Sequence, residues 1–238
     1  MGTPAQMAQS ETARRRIVES AGVVFAAKGF QAATVREICN LAEVNIAAIN
    51  YYFEDKASLY REILRVAAQQ EIQAYPLPEW TGKTPASTRL HDLILVVMRR
   101  LGGVGQGMWQ SRLIMRELLQ PTEFCRELSQ NHFNPHFEIM LGILNEVLPP
   151  ETPLHTRLQT AQSIFGQCIA FRVTSEASRF VIGEEAMNSH YSPEDLAKHI
   201  TRFTLAALGL AEPLGVRPVA VPTLDPCYGG AQLPTPTN

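Results

Sequence analysis

The stretch between residues 45 and 53 is the first place where side-chain types and spacing could do specific chemistry. A predicted short helix there turns small or polar side chains outward, namely Asn45, Ile46, Ala47, Ala48 and Asn50. Ile49 and Phe53 lie on the opposite side of that helix and face the core. Small outward side chains allow a helix to approach base edges in the major groove of DNA. The pattern therefore indicates a helix that reads DNA.

Neighbouring predicted helices position this one. The first covers residues 12–28 and stops at Gly29, because glycine commonly follows the last residue of a helix. The second begins at Thr34, the first residue of a capping box. After a tight turn, Asn45 is a favourable N-cap for the third helix, and a long fourth helix covers 56–74. Short helices joined by a tight turn fit a helix-turn-helix, whose second helix enters the major groove.

The segment from Ile17 to Leu59 resembles the DNA-binding domain of TetR-type transcriptional repressors. The residues that carry the resemblance are Lys28-Gly29-Phe30, Ala33-Thr34-Val35-Arg36-Glu37-Ile38 and Ala48-Ile49-Asn50-Tyr51-Tyr52-Phe53, followed by Lys56. The run from Asn45 to Asn50 resembles the CecR-like subgroup. The resemblance implies a homodimeric repressor that binds double-stranded operator DNA and is released by a small-molecule effector. An effector-free dimeric DNA-binding regulator is the alternative.

The resemblance also implies roles for individual side chains. Contacts to phosphate fall to Thr34, to Tyr51 or Tyr52, and to Lys56, which lies at a helix N-terminus that favours anions. The candidates for base contacts are Arg36, Asn45, Ile46, Ala47 and Asn50. Two alternatives remain open: Tyr51 is a core residue, or Arg36 pairs with Glu37 or Glu62 on a solvated face.

Two positions depart from the family pattern. Glu43 stands in the turn where the family usually has glycine, which predicts either a strained turn or a slightly different geometry. Asn50 stands where many members have an aromatic residue. An asparagine can donate to a phosphate oxygen or read an adenine edge, so specificity is expected to differ at this position.

The rest of the chain is also predicted to be helical, which makes the fold all-α. The predicted helices cover 87–102, 107–119, 122–131, 135–148, 154–182 and 193–209. The predicted organisation is a flexible N-terminus over 1–11, a DNA-binding domain over 12–75, a helical effector and dimerisation domain over 76–210, and a Pro-rich tail over 211–238. The resemblance implies that the last two long helices form a four-helix dimer interface.

Aromatic, methionine and basic residues in the second domain are candidates for an effector site between helices. The predicted set is Trp109, Arg112, Met115, Phe133, His136, Phe137, Phe165 and Arg172. Arg112 and Arg172 are expected to be mostly buried, with Glu117 and Glu176 as internal partners. Ordinary core packing is the alternative for each of these residues.

Composition and motifs exclude several other classes. The net charge is -2, so a basic coat is excluded, and no catalytic or nucleotide-binding motif indicates an enzyme or a cofactor. The four cysteines match no metal pattern, and Pro135 starts a helix between His132 and His136, which is expected to keep them off one face. No signal peptide or membrane-spanning run is present, so we expect a cytoplasmic protein without a membrane partner.

Overall fold

The computed structural model describes residues 4–102 and 109–212, with side chains described from Ser10 onward. All regular structure within these residues is helical, which confirms the all-α prediction. The helices are α1 (Pro4–Ala32), α2 (Val35–Ala42), α3 (Ile46–Phe53), α4 (Lys56–Ala74), α5 (Ala86–Gly102), α6 (Trp109–Leu119), α7 (Cys125–Leu128), α8 (Asn134–Val147), α9 (Leu154–Val173), α10 (Ser175–Ile182), α11 (Glu184–His190) and α12 (Pro193–Ala207). One π-helical turn, Ser129–Phe133, joins α7 to α8.

Helix α1 begins earlier than predicted. The flexible segment assigned to residues 1–11 is helical from Pro4 onward, because proline fits the first turn of a helix and the alanines, glutamines and methionine that follow are tolerated or favoured in one. Gly29 interrupts the helix as predicted, with φ at 75° and ψ at 175°, and one further turn reaches Ala32. This kink turns the chain toward α2.

A first core forms between α1, α2, α3, α4 and α6. Its fully buried side chains include Phe25, Ile38 and Ile49, and the Phe25 and Tyr60 rings meet edge to face at 4.7 Å. Trp109 and other residues of α6 belong to this same core. The helix-turn-helix therefore packs directly on a helix of the second domain.

A second core forms between α5, α8, α9 and α12. It buries Leu93, Met140, Ile164, Cys168 and Ile200, so much of the apolar surface of the two helices expected to form the dimer interface faces into the chain itself. None of the described helices has both the length and the apolar character that crossing a bilayer requires.

Two predicted helices had wrong bounds in this region, and one helix was missed. The helix predicted over 122–131 is only one turn, α7, and continues through the π turn into α8. The helix predicted over 154–182 divides at Thr174, whose φ and ψ of -90° and -1° end α9, and α11 was not predicted. The start of the helix predicted at residue 107 and residues 213–238 of the predicted tail lie outside the described residues.

Candidate nucleic-acid interface and interhelical cavity

Helix α3 presents most of its predicted outward residues to solvent, but Ala48 is half-buried against the first core, so its prediction as an outward residue was wrong. Oδ1 of Asn45 accepts a hydrogen bond from the backbone N–H of Ala48 at 2.9 Å, which caps the helix. Ile49 is buried in the first core, and Ile46 and Asn50 are exposed. Ala47 is also exposed. An outward surface of this kind, free of bulky charged side chains, can lie against base edges.

The two tyrosines at the end of α3 differ in exposure. Tyr51 is 80% exposed, so the alternative that placed it in the core is wrong. The Tyr52 hydroxyl shares a hydrogen bond of 2.9 Å with the Ser10 hydroxyl of α1, which ties this ring to the scaffold. Tyr51 is therefore the tyrosine whose hydroxyl is free to reach a ligand, among the residues described.

Lys56 begins α4 and lies close to the end of α1. Its Nζ donates to the backbone carbonyl of Gln31 at 3.3 Å and lies 4.7 Å from the centre of the Phe30 ring. Asp55 caps the same helix by accepting the Ser58 N–H at 2.7 Å, and this bond lowers the pKa of the Asp55 carboxyl. The ammonium is held against the C-terminal end of α1, while Lys56 itself is the first residue of α4, whose N-terminus stabilises an anion.

Thr34 is engaged in the predicted capping box. Its hydroxyl donates to Oε2 of Glu37 at 3.0 Å and accepts the Glu37 backbone N–H at 3.2 Å. The Lys28 ammonium beside Glu37, together with Thr34, lowers the pKa of that carboxyl. The Thr34 hydroxyl proton is therefore already donated within the chain, and this residue retains less capacity for a phosphate than predicted.

Arg36 is exposed and unpaired among the residues that the structure describes. Glu37 binds Lys28, and Glu62 binds Arg14 and Arg65, so both carboxylates suggested as partners are occupied by other cations. The alternative in which Arg36 pairs with Glu37 or Glu62 is therefore wrong. A free guanidinium beside α3 retains its full fork of donors for an external acceptor.

The turn between α2 and α3 is strained at Glu43, as its departure from glycine predicts. Glu43 has φ at 51° and ψ at 49°, the left-handed conformation that glycine adopts at little cost. Arg16 of α1 stabilises the turn by donating to the carbonyls of Ala42 and Glu43 and to the Glu43 carboxylate. The left-handed turn is thus kept with a non-glycine residue.

An interhelical cavity of about 360 Å³ lies beyond the first core. Residues from α4, α5, α6, the π turn, α8 and α9 line it. Five of the predicted effector residues are among them, namely Met115, Phe133, His136, Phe137 and Phe165. The Phe137 and Phe165 rings stack with their centres 6.0 Å apart.

Trp109 lies on the opposite side of α6 from this cavity, which corrects the sequence prediction. Its indole N–H donates to Oε2 of Glu19 at 3.0 Å. The ring packs so closely on Gly22 that a Cβ there would lie 2.4 Å from an indole carbon. The residue belongs to the core that holds α1 against α6.

Arg112 and Arg172 also lie outside the cavity. The prediction that both are mostly buried was wrong. Both border a separate shallow depression beside α6. Their suggested partners act elsewhere or are exposed: Glu117 accepts hydrogen bonds from Tyr60 at 2.6 Å and Thr122 at 2.8 Å, and Glu176 is exposed. The sequence alone therefore did not distinguish the internally bonded carboxylate of Glu117 from the exposed carboxylate of Glu176.

The polar end of the cavity centres on Arg100, which sequence reasoning missed. Arg100 is 6% exposed, and its Nε and Nη2 donate to the Tyr75 carbonyl at 3.1 and 2.6 Å. Its position could have been found, because Arg100 follows Leu93 and Val96 at helical spacing on the buried side of α5. Glu71 likewise follows Ala67 and Ala68 on α4.

Two histidines complete this end. Burial lowers the pKa of His136 to about 4, so its neutral ring donates from Nδ1 to the His132 carbonyl at 2.7 Å and accepts Arg100 at Nε2 at 2.5 Å. Nε2 of His132 lies 3.5 Å from the Glu71 carboxylate. The rings of His132 and His136 are 5.7 Å apart, because the continuous helix brings them together, contrary to the prediction.

Exposed apolar side chains mark one side of the second domain. They are Leu154, Leu158 and Val173 on α9, Phe180, Val181 and Ile182 on α10, and Phe203 on α12. Phe203 is 47% exposed, whereas Ile200 is 0% exposed and lies in the chain's own core. Only part of the predicted dimer stripe is therefore available to a second chain.

Family comparisons agree with this architecture. A model described as "Bacterial regulatory proteins, tetR family" matches residues 17–63. A model described as "HTH-type transcriptional dual regulator CecR, C-terminal domain" matches residues 86–208, slightly more than half of the chain. The chain belongs to the TetR family and carries the CecR type of C-terminal domain.

Relatives span different shares of the chain. The probable HTH-type transcriptional regulator YttP of Bacillus subtilis (strain 168) is 42% identical over 133 residues, 55% of this chain and 62% of YttP, so the match spans less than two thirds of that relative. The HTH-type transcriptional dual regulator CecR of Shigella flexneri is 27% identical over 195 residues, 74% of this chain and 82% of CecR.

A solved structure supports the fold. A TetR-like transcriptional regulator from Rhodococcus sp. RHA1 superposes with a TM-score of 0.60 at 14% identity, covering 83% of this chain and 96% of that one.

Proposed function

We propose that this protein binds operator DNA as a homodimer through α3 and leaves the operator when a small molecule occupies the interhelical cavity. The observation that carries the proposal is that α4 and α6 each serve both places. Leu59 and Ile63 of α4 lie in the first core, while Glu71 of the same helix lines the cavity. Leu113 of α6 lies in that core, while Met115 lines the cavity. A ligand that displaces either helix must therefore change the packing that holds α3 in position.

The exposed side chains divide the DNA contacts into two kinds. Asn45, Ile46, Ala47, Asn50 and Arg36 face base edges, and Arg36 can donate two parallel hydrogen bonds to guanine. Tyr51 and Lys56 face the phosphates, and Lys56 is the stronger candidate because it begins α4, whose N-terminus favours an anion. Tyr52 and Thr34 are weaker candidates, since their hydroxyls are bonded within the chain. Both named relatives are described as HTH-type transcriptional regulators, which supports this function.

A dimer is required because a single α3 reads only one half-site. The exposed apolar residues of α9 and α12 supply a surface for a second copy. When the operator overlaps a promoter, the bound dimer excludes the polymerase, which makes the protein a repressor at that promoter. An effector that prefers the DNA-incompetent state by about 100-fold shifts the balance by about 2.7 kcal/mol.

Selection of binding sites from random duplex DNA tests the DNA contacts. The wild-type protein should enrich a two-fold symmetric site. Lys56→Ala should weaken binding to all sequences about equally and reduce the salt slope by about one. Arg36→Ala should relax selectivity at one base pair in each half-site, by about 1–3 kcal/mol.

Lys83→Ala is the matched control, since Lys83 is exposed between the domains and away from α3. Enrichment of no common site by the wild-type protein would exclude the proposed function. An effector-free regulator, the alternative, would bind the selected site and respond to no cavity ligand.

A further inference from the structure

The polar end of the cavity restricts the kind of molecule that fits it. We propose that the cavity binds an amphipathic carboxylate, with its apolar body among Phe133, Phe137 and Phe165 and its carboxylate against Arg100 and His132. This inference rests on the proposed function, in which the same cavity is the effector site. It goes further by assigning the charge and shape of the ligand.

Arg100 has donors to spare and no direct counter-ion. A guanidinium carries five N–H groups, and three are used, two on the Tyr75 carbonyl and one on His136. Among the described residues no carboxylate lies within 4.0 Å of Arg100, although the more distant Glu71 carboxylate favours its charge. A buried charge without a partner costs stability, so a ligand carboxylate would complete the site.

His132 supplies a second unused group. Its side chain is more than nine-tenths buried and lines the cavity, and its Nδ1 has no hydrogen-bond partner among the described residues. With Nε2 directed at Glu71, a protonated ring would donate from Nδ1 to a ligand oxygen. Arg100 and His132 both line the cavity, and Arg100 has N–H groups and His132 a ring nitrogen that no other described residue engages.

The summed charge at the polar end of the cavity decides whether an anionic or a cationic ligand is favoured. Arg100 is positive, Glu71 is negative, and His136 is neutral at physiological pH because burial lowers its pKa to about 4. The sum is zero with a neutral His132 and positive with a protonated one, and it is never negative. A ligand ammonium would thus meet no excess negative charge, while a carboxylate gains from the two unused N–H groups of Arg100.

Charges on the far side of His132 do not change this sum. A second depression there is lined by Arg61, Arg65 and Glu127 as well as His132. Arg61 binds Glu127 at 3.0 Å, and Arg65 binds Glu62 at 2.7 Å. These paired groups leave no carboxylate free to oppose an anion in the cavity.

The remaining walls fit an apolar body. Leu101, Ile114, Leu118 and Ile169 line the cavity with the three phenylalanines. At about 360 Å³ the cavity is at the lower end of the size usual for small-molecule sites. A short alkyl or arylalkyl acid is therefore favoured over a large ring system.

Calorimetric titration of the full chain with matched ligands tests the charge assignment. The probes share one tail and differ in the head: a carboxylate, a primary alcohol and a primary amine, each with hexyl, octyl, decyl and phenylbutyl tails. For at least one tail, the carboxylate should bind at least tenfold more tightly than the alcohol, and the amine more weakly than both. The inference is overturned if no carboxylate binds or if none exceeds its alcohol.

Arg100→Gln and His132→Phe test the residues. Arg100→Gln keeps a donor for Tyr75 and should weaken the carboxylate at least tenfold while leaving the alcohol nearly unchanged. The matched control is Arg99→Gln, because Arg99 is the adjacent arginine and pairs with Glu194 outside the cavity. His132→Phe keeps a ring and should weaken the carboxylate by a smaller factor. Equal loss of acid and alcohol in either folded variant contradicts the assignment.

Operator binding with each ligand separates this inference from the proposed function. If the carboxylate binds through Arg100 but leaves operator affinity unchanged, the ligand class stands and effector release fails. If an amine or alcohol releases the operator while no carboxylate binds, effector release stands and the ligand class fails.

Discussion

The α3 surface and the interhelical cavity are built in opposite ways. The outward residues of α3 lie within six consecutive positions, from Asn45 to Asn50, and one cap places them. The cavity takes residues from six elements between Glu71 and Ile169. A recognition surface can therefore change residue by residue, whereas the cavity depends on how several helices pack.

The two regions also differ in how their cationic side chains are exposed and paired. Around α3 the cations are exposed, and several have carboxylate partners in water, where each pair contributes little. In the cavity, Arg100 is buried and held by a carbonyl and a neutral ring. Exposed cations such as Arg36 can reach an external partner without desolvation of a buried site, whereas the buried Arg100 can only bind a ligand that enters the cavity.

Phe203→Asp tests whether operator binding through α3 depends on a second copy of the chain. We expect monomers, because a carboxylate opposes burial of this half-exposed face, and operator affinity should fall by ~100-fold or more, since linked half-sites gain about that factor. Analytical ultracentrifugation and operator binding measure both effects.

Val23→Asp is the control, as an apolar residue of similar exposure on α1, which packs in the first core and not in the core of α9 and α12. Ile200→Asp should instead unfold the chain, because Ile200 is fully buried in the second core. A Phe203→Asp protein that remains dimeric would exclude this face as the interface.

Gly22→Ala tests the seam that joins the two regions. A Cβ at residue 22 would overlap the Trp109 indole, so we expect a loss of about 1–3 kcal/mol in the free energy of unfolding. Gly142→Ala is the matched helical control, since nothing lies within 4 Å of its Cβ position, and it should stabilise by about 0.5–1 kcal/mol. Denaturant unfolding measures both, and equal effects would refute the close packing.

His136, at the polar end of the cavity, makes the free energy of unfolding depend on pH. Because its folded pKa of about 4 is below the unfolded value, the unfolded chain takes up the proton first as the pH falls. Stability should therefore be full above about pH 6.5 and fall by on the order of 1–2 kcal/mol toward pH 5. His136→Gln should lack this part of the decline. An identical pH profile in the variant would show that His136 is not the group responsible.

Glu43→Gly has the smallest expected effect and concerns the α3 side alone. Glycine removes the left-handed strain, worth about 1 kcal/mol, and loses only an exposed ion pair with Arg16. Glu43→Ala is the control, because it loses the same ion pair and keeps the Cβ. Thermal unfolding should rank Gly above Glu above Ala, and a destabilised glycine variant would contradict the strain.

Sequence reasoning succeeded at the caps and turns around α3, where the deciding interaction is local. The caps at Thr34, Asn45 and Asp55 each accept a backbone N–H three residues ahead, so the printed order of residues is enough to find them. The kink at Gly29 and the strain at Glu43 are local in the same way. These features set the short helices α2 and α3, the start of α4 and the outward face of α3.

The tertiary structure alone decided which buried side chains share a cavity. Arg100 meets Tyr75 and His136 across gaps of 25 and 36 residues, and Trp109 meets Glu19 across 90. Helical spacing shows that a residue lies on an apolar stripe, but both sides of α6 are partly apolar, one for the first core and one for the cavity. Burial and pairing depend on every helix that packs around a residue, and that arrangement exists only in the folded chain.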